Sequence, residues 1–309
     1  MDFNNYREQE IYKTAEKYHK TSLVRISSII PDTLQQIVET EKEETSIVGI
    51  STGFKSLDRI SGGFRKGQFI VLASRPAMGK TSLALNMALN SALYHDKKIA
   101  IFTIDMKIDE LLMKMLSSAS EVSLKDMENG IRLTDKKKER ITKVAEILSE
   151  KEIYFDDNRV ATVSEIREKI HQLKAEIGGL DMVIIDYLQL MNSNRRYKTR
   201  QEEISEISRN LKALAKESEL PIIVLSQLNR SLESRTDKRP ILSDLSGSGA
   251  IEQDADIVMF VYREVVYNEK TETPHRAEIL VKKNKLGPIG TVCLFFKPEF
   301  TSFSSIREY

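Results

Sequence analysis

From Ile47 to the carboxyl end, the chain repeats one pattern. Short all-apolar runs are separated by longer stretches in which apolar positions recur at helical spacing. The apolar runs are Phe69–Ala73, Ile99–Ile104, Ile153–Phe155, Met182–Ile185, Ile222–Leu225, Ile257–Tyr262, Ala277–Val281 and Thr291–Phe296. Short runs without polar alternation predict strands buried on both faces, and the helical stretches between them predict crossovers. The expected fold class is therefore α/β, a mostly parallel sheet covered by helices on both faces. The last runs follow one another with no long helical stretch between, which predicts an antiparallel extension at one sheet edge. Asp135-Lys136-Lys137-Lys138-Glu139-Arg140 reads as the exposed start of a helix.

The first 45 or so residues carry a different pattern. Tyr6, Ile11, Tyr12, Ala15 and Tyr18 fall largely along one helical stripe. A second short helix is expected with Asp32 as N-cap behind Pro31 and an apolar face of Leu34, Ile37 and Val38. Glu41-Lys42-Glu43-Glu44 then reads as solvated linker. The predicted organisation is a helical docking segment over residues 1–45 and one α/β domain over 46–309. Two small amphipathic pieces cannot bury a core alone, so they must dock on their own main domain or on a neighbouring subunit.

Composition narrows the class. With 309 residues, 40% hydrophobic and 30% charged, the chain fits one large globular domain plus an appendage. No apolar run approaches the roughly 20 residues of a membrane helix, and the polar N-terminus does not resemble a secretory signal, so a cytoplasmic protein is expected. Cys293 is the only cysteine, which excludes an intramolecular disulfide or a cysteine-rich zinc site. Its apolar surroundings predict a buried, inert thiol. The four histidines lack metal-ligand spacing, and none is read as catalytic. A formal net charge of +1 means that any nucleic-acid contact must rest on local clusters.

The strongest chemistry lies at Phe69–Ala73, then Ser74-Arg75-Pro76-Ala77-Met78-Gly79-Lys80-Thr81, then the helical Ser82–Ala88. A buried strand, a tight loop and a helix ending in Gly-Lys-Thr is the context of a phosphate-binding loop, although Ser74 replaces its first glycine. Backbone N–H groups of residues 74–81 would cradle phosphates, Lys80 would reach the β- and γ-phosphates, and Thr81 would help hold Mg²⁺. A nucleoside triphosphate and Mg²⁺ are thus the expected ligands. Asp181–Asp186 is an apolar strand ending in a carboxylate, as expected for a strand beside the phosphate-binding loop whose aspartate orients Mg²⁺.

Further motifs accompany these. They are Gly53-Phe54, Leu57-Asp58 and Gly62-Gly63 before the loop, then Asp186-Tyr187-Leu188-Gln189-Leu190-Met191. Leu225-Ser226-Gln227-Leu228-Asn229-Arg230, Arg239–Leu245 and Ile251–Asp256 follow. In order and spacing, from about Gly49 onward, the chain resembles the C-terminal ATPase domain of the DnaB-type replicative DNA helicases. That RecA-like family forms hexamers. Residues 1–45 resemble the family's linker, and no counterpart of its N-terminal collar domain is present.

The resemblance implies roles. Lys80, Thr81 and Asp186 match the phosphate and Mg²⁺ ligands, and Gln227 the residue that senses the γ-phosphate. Asp105 stands where the family carries the glutamate that polarises the attacking water. Lys285 stands where it carries the arginine finger that a neighbouring subunit supplies, with Lys283 beside it. Ser246-Gly247 replaces an Arg-Glu pair in a loop facing the DNA channel, so that loop, including Gly249, is left glycine-rich. Asp105 is one methylene short, a retreat of about 1 Å that can cost ~10²-fold in rate. Lys285 keeps the charge but loses the planar fork. Slow hydrolysis is the expectation.

Asn194–Arg200 is the most basic short run and follows the Asp186 strand, where loops of RecA-like rings line the central hole. Arg195, Arg196, Lys198 and Arg200 are the expected contacts to single-stranded DNA. Arg230, Arg235, Lys238 and Arg239 form a second basic patch. The resemblance implies an ATP-driven homohexameric helicase with a helicase loader or primase as partner. A DnaB-like regulatory subunit with weak hydrolysis, and a recombinase- or clock-type ATPase, remain as rivals.

Overall fold

The computed structural model describes residues 25–28, 30, 31, 34, 47–130, 133–158, 162–245 and 248–306. The chain divides into two compact units, Met1–Ser46 and Ile47–Tyr309. In the first, a short turn at Ile26–Ser28 is closed by the Ser28 N–H donating to the Arg25 carbonyl. The predicted tyrosine stripe, the Asp32 cap, Ile37, Val38 and the charged linker lie outside the described residues.

The second unit is built on one nine-stranded sheet in the order β3-β2-β4-β5-β1-β6-β7-β8-β9. β1 is Phe69–Ser74, β2 Ile99–Thr103, β3 Ile153–Asp156, β4 Met182–Asp186, β5 Ile222–Gln227 and β6 Ile257–Tyr262. These six pair in parallel, as their uninterrupted apolar character predicts. β7 (Arg276–Asn284), β8 (Gly290–Lys297) and β9 (Ser302–Ser305) extend the β6 edge antiparallel. The α/β reading and the antiparallel edge therefore both hold.

Three details depart from the sequence reading. The strand that ends in Asp186 is not the neighbour of β1, because β5 lies between them. β9 has no apolar run to announce it. Its Phe303 is buried against Phe296, with ring centroids 4.4 Å apart, and the Phe303 N–H donates to Asn86. Cys293 is half-buried rather than buried, because burial alternates along β8, and Arg276 donates to its sulfur at 3.0 Å.

Helices cover the sheet. α1 is Lys55–Ser61, and α2 (Lys80–His95) follows β1 directly, buried from Ser82 through Leu89. α3 is Ile108–Ser120, α4 Leu124–Asn129, α5 Asp135–Ser149, α6 Val163–Ile177, α7 Arg200–Ser218 and α8 Ser248–Asp254. α5 starts where the lysine-rich segment predicts, and Thr134 caps it by accepting from the Lys137 N–H. Among the described residues no helix is long and apolar enough to cross a membrane.

The amino ends of the central strands are held by Asp256. Its carboxylate accepts from the Phe69 N–H at 2.8 Å and from Lys212, and pairs with Lys285 at 3.2 Å. Burial alone would raise this carboxyl, but the Lys212 and Phe69 hydrogen bonds outweigh it and hold it below its ordinary 3.8. A depressed folded-state pKa contributes stability above the unfolded value, which is lost as pH falls through the folded value. Asp256→Ala is expected to cost about 2–3 kcal/mol, since it strands the Phe69 N–H and removes the counter-charge of Lys212. Thermal melting at neutral pH checks this, and the difference from wild type should shrink well below pH 4.

Candidate active site

The phosphate-loop residues 74–81 leave the carboxyl end of β1, the end at which ligands of open α/β sheets bind. Gly79 caps α2 with φ 92°, and a Cβ there would lie 3.1 Å from the Phe303 ring. Both the left-handed backbone and the close aromatic therefore demand glycine. The loop and the first turn of α2 line a cavity of about 470 Å³, which Asp105, Lys114, Asp186, Gln227 and Arg263 also line.

Inside it, Thr81 donates its hydroxyl to Asp186 at 2.8 Å, and the Lys80 ammonium lies 3.9 Å from the same carboxylate. Lys80 also sits 4.8 Å above the Tyr187 ring. Burial pushes the Lys80 pKa down against the pull of Asp186 and Asp105, and pushes the Asp186 carboxyl up. A polyanion entering the cavity would favour the charged ammonium. The Thr81 hydroxyl and the Asp186 carboxylate are hard oxygen donors side by side, a set that suits a small divalent cation completing its shell with water and phosphate.

Asp105 is placed by the exit of β2. The Ile104 N–H donates to the Asp186 carbonyl, and Thr103 exchanges hydrogen bonds with Met106, folding the turn that carries Asp105 to the cavity. Asp105 is exposed there, within electrostatic reach of Lys80 and Asp186. Gln227 ends β5, and its N–H donates to Gln189, whose amide in turn donates to Ser226 and the Gln227 carbonyl. The motif following Asp186 thus fixes the strand end that presents Gln227.

The phosphate-loop residue Arg75 is engaged within the chain, through Glu233 and the Leu228 carbonyl, both at 2.8 Å. Sequence reasoning missed Arg263, which follows β6 and carries no motif. It is buried, donates to the Ala77 carbonyl at 3.2 Å, lies over the Phe296 ring at 4.3 Å, and its Nε has no hydrogen-bond partner among the described residues. Only the pairing of β6 with β1 brings this cation to the phosphate loop.

Lys283 and Lys285 are not part of this cavity. Asn284 pairs with Ile257, itself level with Ile70, so both lysines sit at the amino ends of the parallel strands. Lys283 donates to the carbonyls of Glu252 and Gln253 at the end of α8, and burial lowers its pKa. Arg195, Arg196 and Lys198 are exposed in the loop after β4. Arg200 departs from that group, because its guanidinium donates to the Gln189 and Met191 carbonyls and pairs with Glu203. It fastens the loop instead of standing open to a ligand. In the second basic patch, Arg235 grips Asp244 with both nitrogens and Arg239 grips Glu278. Gly249 is exposed in the first turn of α8, while Ser246-Gly247 lies outside the described residues.

The DnaB-like helicase C-terminal domain family matches residues 49–305. Replicative DNA helicase DnaC of Bacillus subtilis (strain 168) is 41% identical over 308 residues, covering 99% of this chain and 67% of its own length. Replicative DNA helicase DnaB of Geobacillus stearothermophilus is 42% identical over 302 residues, covering 97% of this chain and 66% of its own. The chain thus spans about two thirds of the length of these relatives. Among solved structures, an isolated ATPase domain superposes with a TM-score of 0.85 at 33% identity, covering 90% of this chain and 99% of that one. A DnaB-like replicative helicase, solved in a study of its interactions with primase, gives 0.84 at 31% identity, covering 97% and 72%. Matched by this family over residues 49–305 and by these relatives at about 40% identity over nearly its whole length, the chain belongs to the DnaB-like replicative helicases and carries their C-terminal domain.

Proposed function

We propose that the chain hydrolyses ATP and uses it to move along and open DNA as a homohexameric ring. The observation that carries this reading is the separation of two halves of one site. Lys80, Thr81, Asp186 and Asp105 meet at the carboxyl ends of the strands, whereas Lys285 lies level with Phe69 and Lys283 level with Val71, five and three residues back from the end of β1 and so roughly 17 and 10 Å away along the strand direction. One chain cannot bring its own Lys285 to its own Lys80, but a ring places one subunit's lysines against the next subunit's cavity. In this reading Lys80 holds the β- and γ-phosphates, while Thr81 and Asp186 hold Mg²⁺, which when bound supplies charge neutralisation to the phosphates. Asp105 takes the proton of the attacking water, and Gln227 responds to the terminal phosphate.

Arg195, Arg196 and Lys198 would meet the backbone of single-stranded DNA. Neutralising the three together is expected to weaken binding and to flatten the log–log salt dependence by roughly 2 for each subunit engaged, at about 0.7 per lost phosphate contact. Unchanged affinity and slope in a salt titration would place this loop off the DNA. The structural relative interacts with primase, and the assembled ring is expected to offer a primase the same kind of surface.

The decisive experiment measures native mass with an ATP analogue, ATPase rate with and without single-stranded DNA, and strand displacement on a forked duplex. A six-subunit mass, DNA-stimulated turnover and unwinding are the expected results. Nucleotide and DNA binding without unwinding would instead favour a regulatory subunit of a helicase. A monomer indifferent to DNA would overturn the reading.

A further inference from the structure

Tyr187 directly follows Asp186, and its ring lies under the Lys80 ammonium. Nζ is 4.8 Å from the ring centroid, inside the range of a cation–π contact. The same Nζ is 3.9 Å from Asp186 Oδ1, too long for a hydrogen bond, while Oδ2 accepts from the Thr81 hydroxyl at 2.8 Å. Lys80 and Asp186 are poorly hydrated, with side chains 13% and 7% exposed. Opposite charges so little screened ordinarily close to hydrogen-bonding distance. The negative face of the ring supplies a second attraction, which holds the ammonium short of the carboxylate.

The ring itself is held in place. Tyr187 is extended, with φ −142° and ψ 161°, between the end of β4 and the turn Leu188–Leu190. Its carbonyl accepts from the Leu190 N–H at 3.1 Å, and the Leu188 side chain is buried. Gln189 is tied to Ser226 and to the Gln227 backbone. The Tyr187 side chain packs against the core and lines the nucleotide cavity. Lys80 is equally well rooted, as the first residue of α2 behind Gly79. A fixed ring therefore faces a lysine with a fixed origin, and only the ammonium end has freedom to turn.

We propose that Tyr187 is a positioning residue whose ring face keeps the Lys80 ammonium off Asp186 and so available to a triphosphate. This role rests on the reading of Lys80 as the phosphate contact. Without the ring, Lys80 closes on Asp186 Oδ1, and an arriving phosphate must first break a buried ion pair. With it, the ammonium turns toward phosphate while the ring stays beneath it. The effect belongs to the π face and not to the hydroxyl. Phenylalanine therefore fulfils the role, whereas an aliphatic side chain does not.

The test measures the binding of a fluorescent, non-hydrolysable ATP analogue to the full chain by anisotropy. Tyr187→Phe is expected to bind within about twofold of wild type. Tyr187→Leu is expected to bind about tenfold more weakly, inside the roughly 2- to 30-fold span of one cation–π contact. Replacing Tyr187 with phenylalanine analogues that carry increasing numbers of ring fluorines keeps the shape and drains the negative face, so affinity should fall along the series. In a Lys80→Ala background the same replacements should cost less than about twofold, because ring and ammonium act through one contact. A ring that only fills space would leave the fluorinated series flat and would cost the same with or without Lys80. Either result overturns the assignment, and if Tyr187→Leu fails to fold, the fluorinated series decides by itself. Should Lys80→Ala bind the analogue as tightly as wild type, the phosphate reading of Lys80 falls instead, and the role of Tyr187 with it.

Discussion

Lys80→Ala is expected to lower ATP turnover by at least roughly 10²-fold while the protein remains folded. The ammonium is the cation placed beside Asp186 at the first turn of α2, and removal of a single preorganised charge from such a site costs on that order. The fold should tolerate the change. Burial pushes the Lys80 pKa down, which means the protein bears a desolvation cost to keep this charge where it is. Alanine relieves that cost, and Asp186 retains the Thr81 hydroxyl. Steady-state ATPase assays beside circular dichroism and melting curves check the expectation. Wild-type turnover in a folded Lys80→Ala protein would remove the phosphate assignment altogether.

A second large effect is expected at Asp105. Asp105→Asn should nearly abolish turnover with little change in nucleotide affinity, because an amide cannot take a proton from water. Asp105→Glu should raise the turnover number, since the added methylene returns the carboxylate by about 1 Å toward the terminal phosphate. The turn that carries this residue is pinned to Asp186 through the Ile104 N–H, so the backbone has little freedom to make up the missing length. Single-turnover measurements are needed, because slow product release would mask a faster chemical step. Should Asp105→Asn hydrolyse ATP like wild type, water must be activated by another group. A raised rate in Asp105→Glu would also mean that Asp105 sets the pace of the wild-type enzyme.

The site and its frame divide between what is local in the chain and what is not. Lys80 and Thr81 follow a buried strand and a tight loop within a few residues, so their chemistry is written in contiguous sequence and the structure places them together. The apolar runs are equally local. Runs without alternation can be satisfied only between two covered faces, and the parallel sheet follows from them. The order of the strands does not. Which strand separates β1 from β4 depends on how crossovers pack, and β5 takes that place without any mark in its own residues. β9, with one buried phenylalanine in a serine-rich stretch, is a strand only because β8 offers it an open edge.

By itself, then, the amino-acid sequence determined the α/β class, the phosphate loop, the carboxylate that ends β4, the glutamine that ends β5 and the family. Each of these is carried by residues close together in the chain or by the period of their hydrophobicity. Tertiary structure alone decided which charges are free to act. Arg75 is bound to Glu233 across 158 positions, Arg263 reaches Ala77 across 186, and Arg200, Arg235 and Arg239 are spent on carboxylates and carbonyls inside the chain. A basic side chain reads the same in sequence whether it faces solvent or a buried carboxylate. The difference lies in desolvation and in partners that only the folded chain brings within hydrogen-bonding distance.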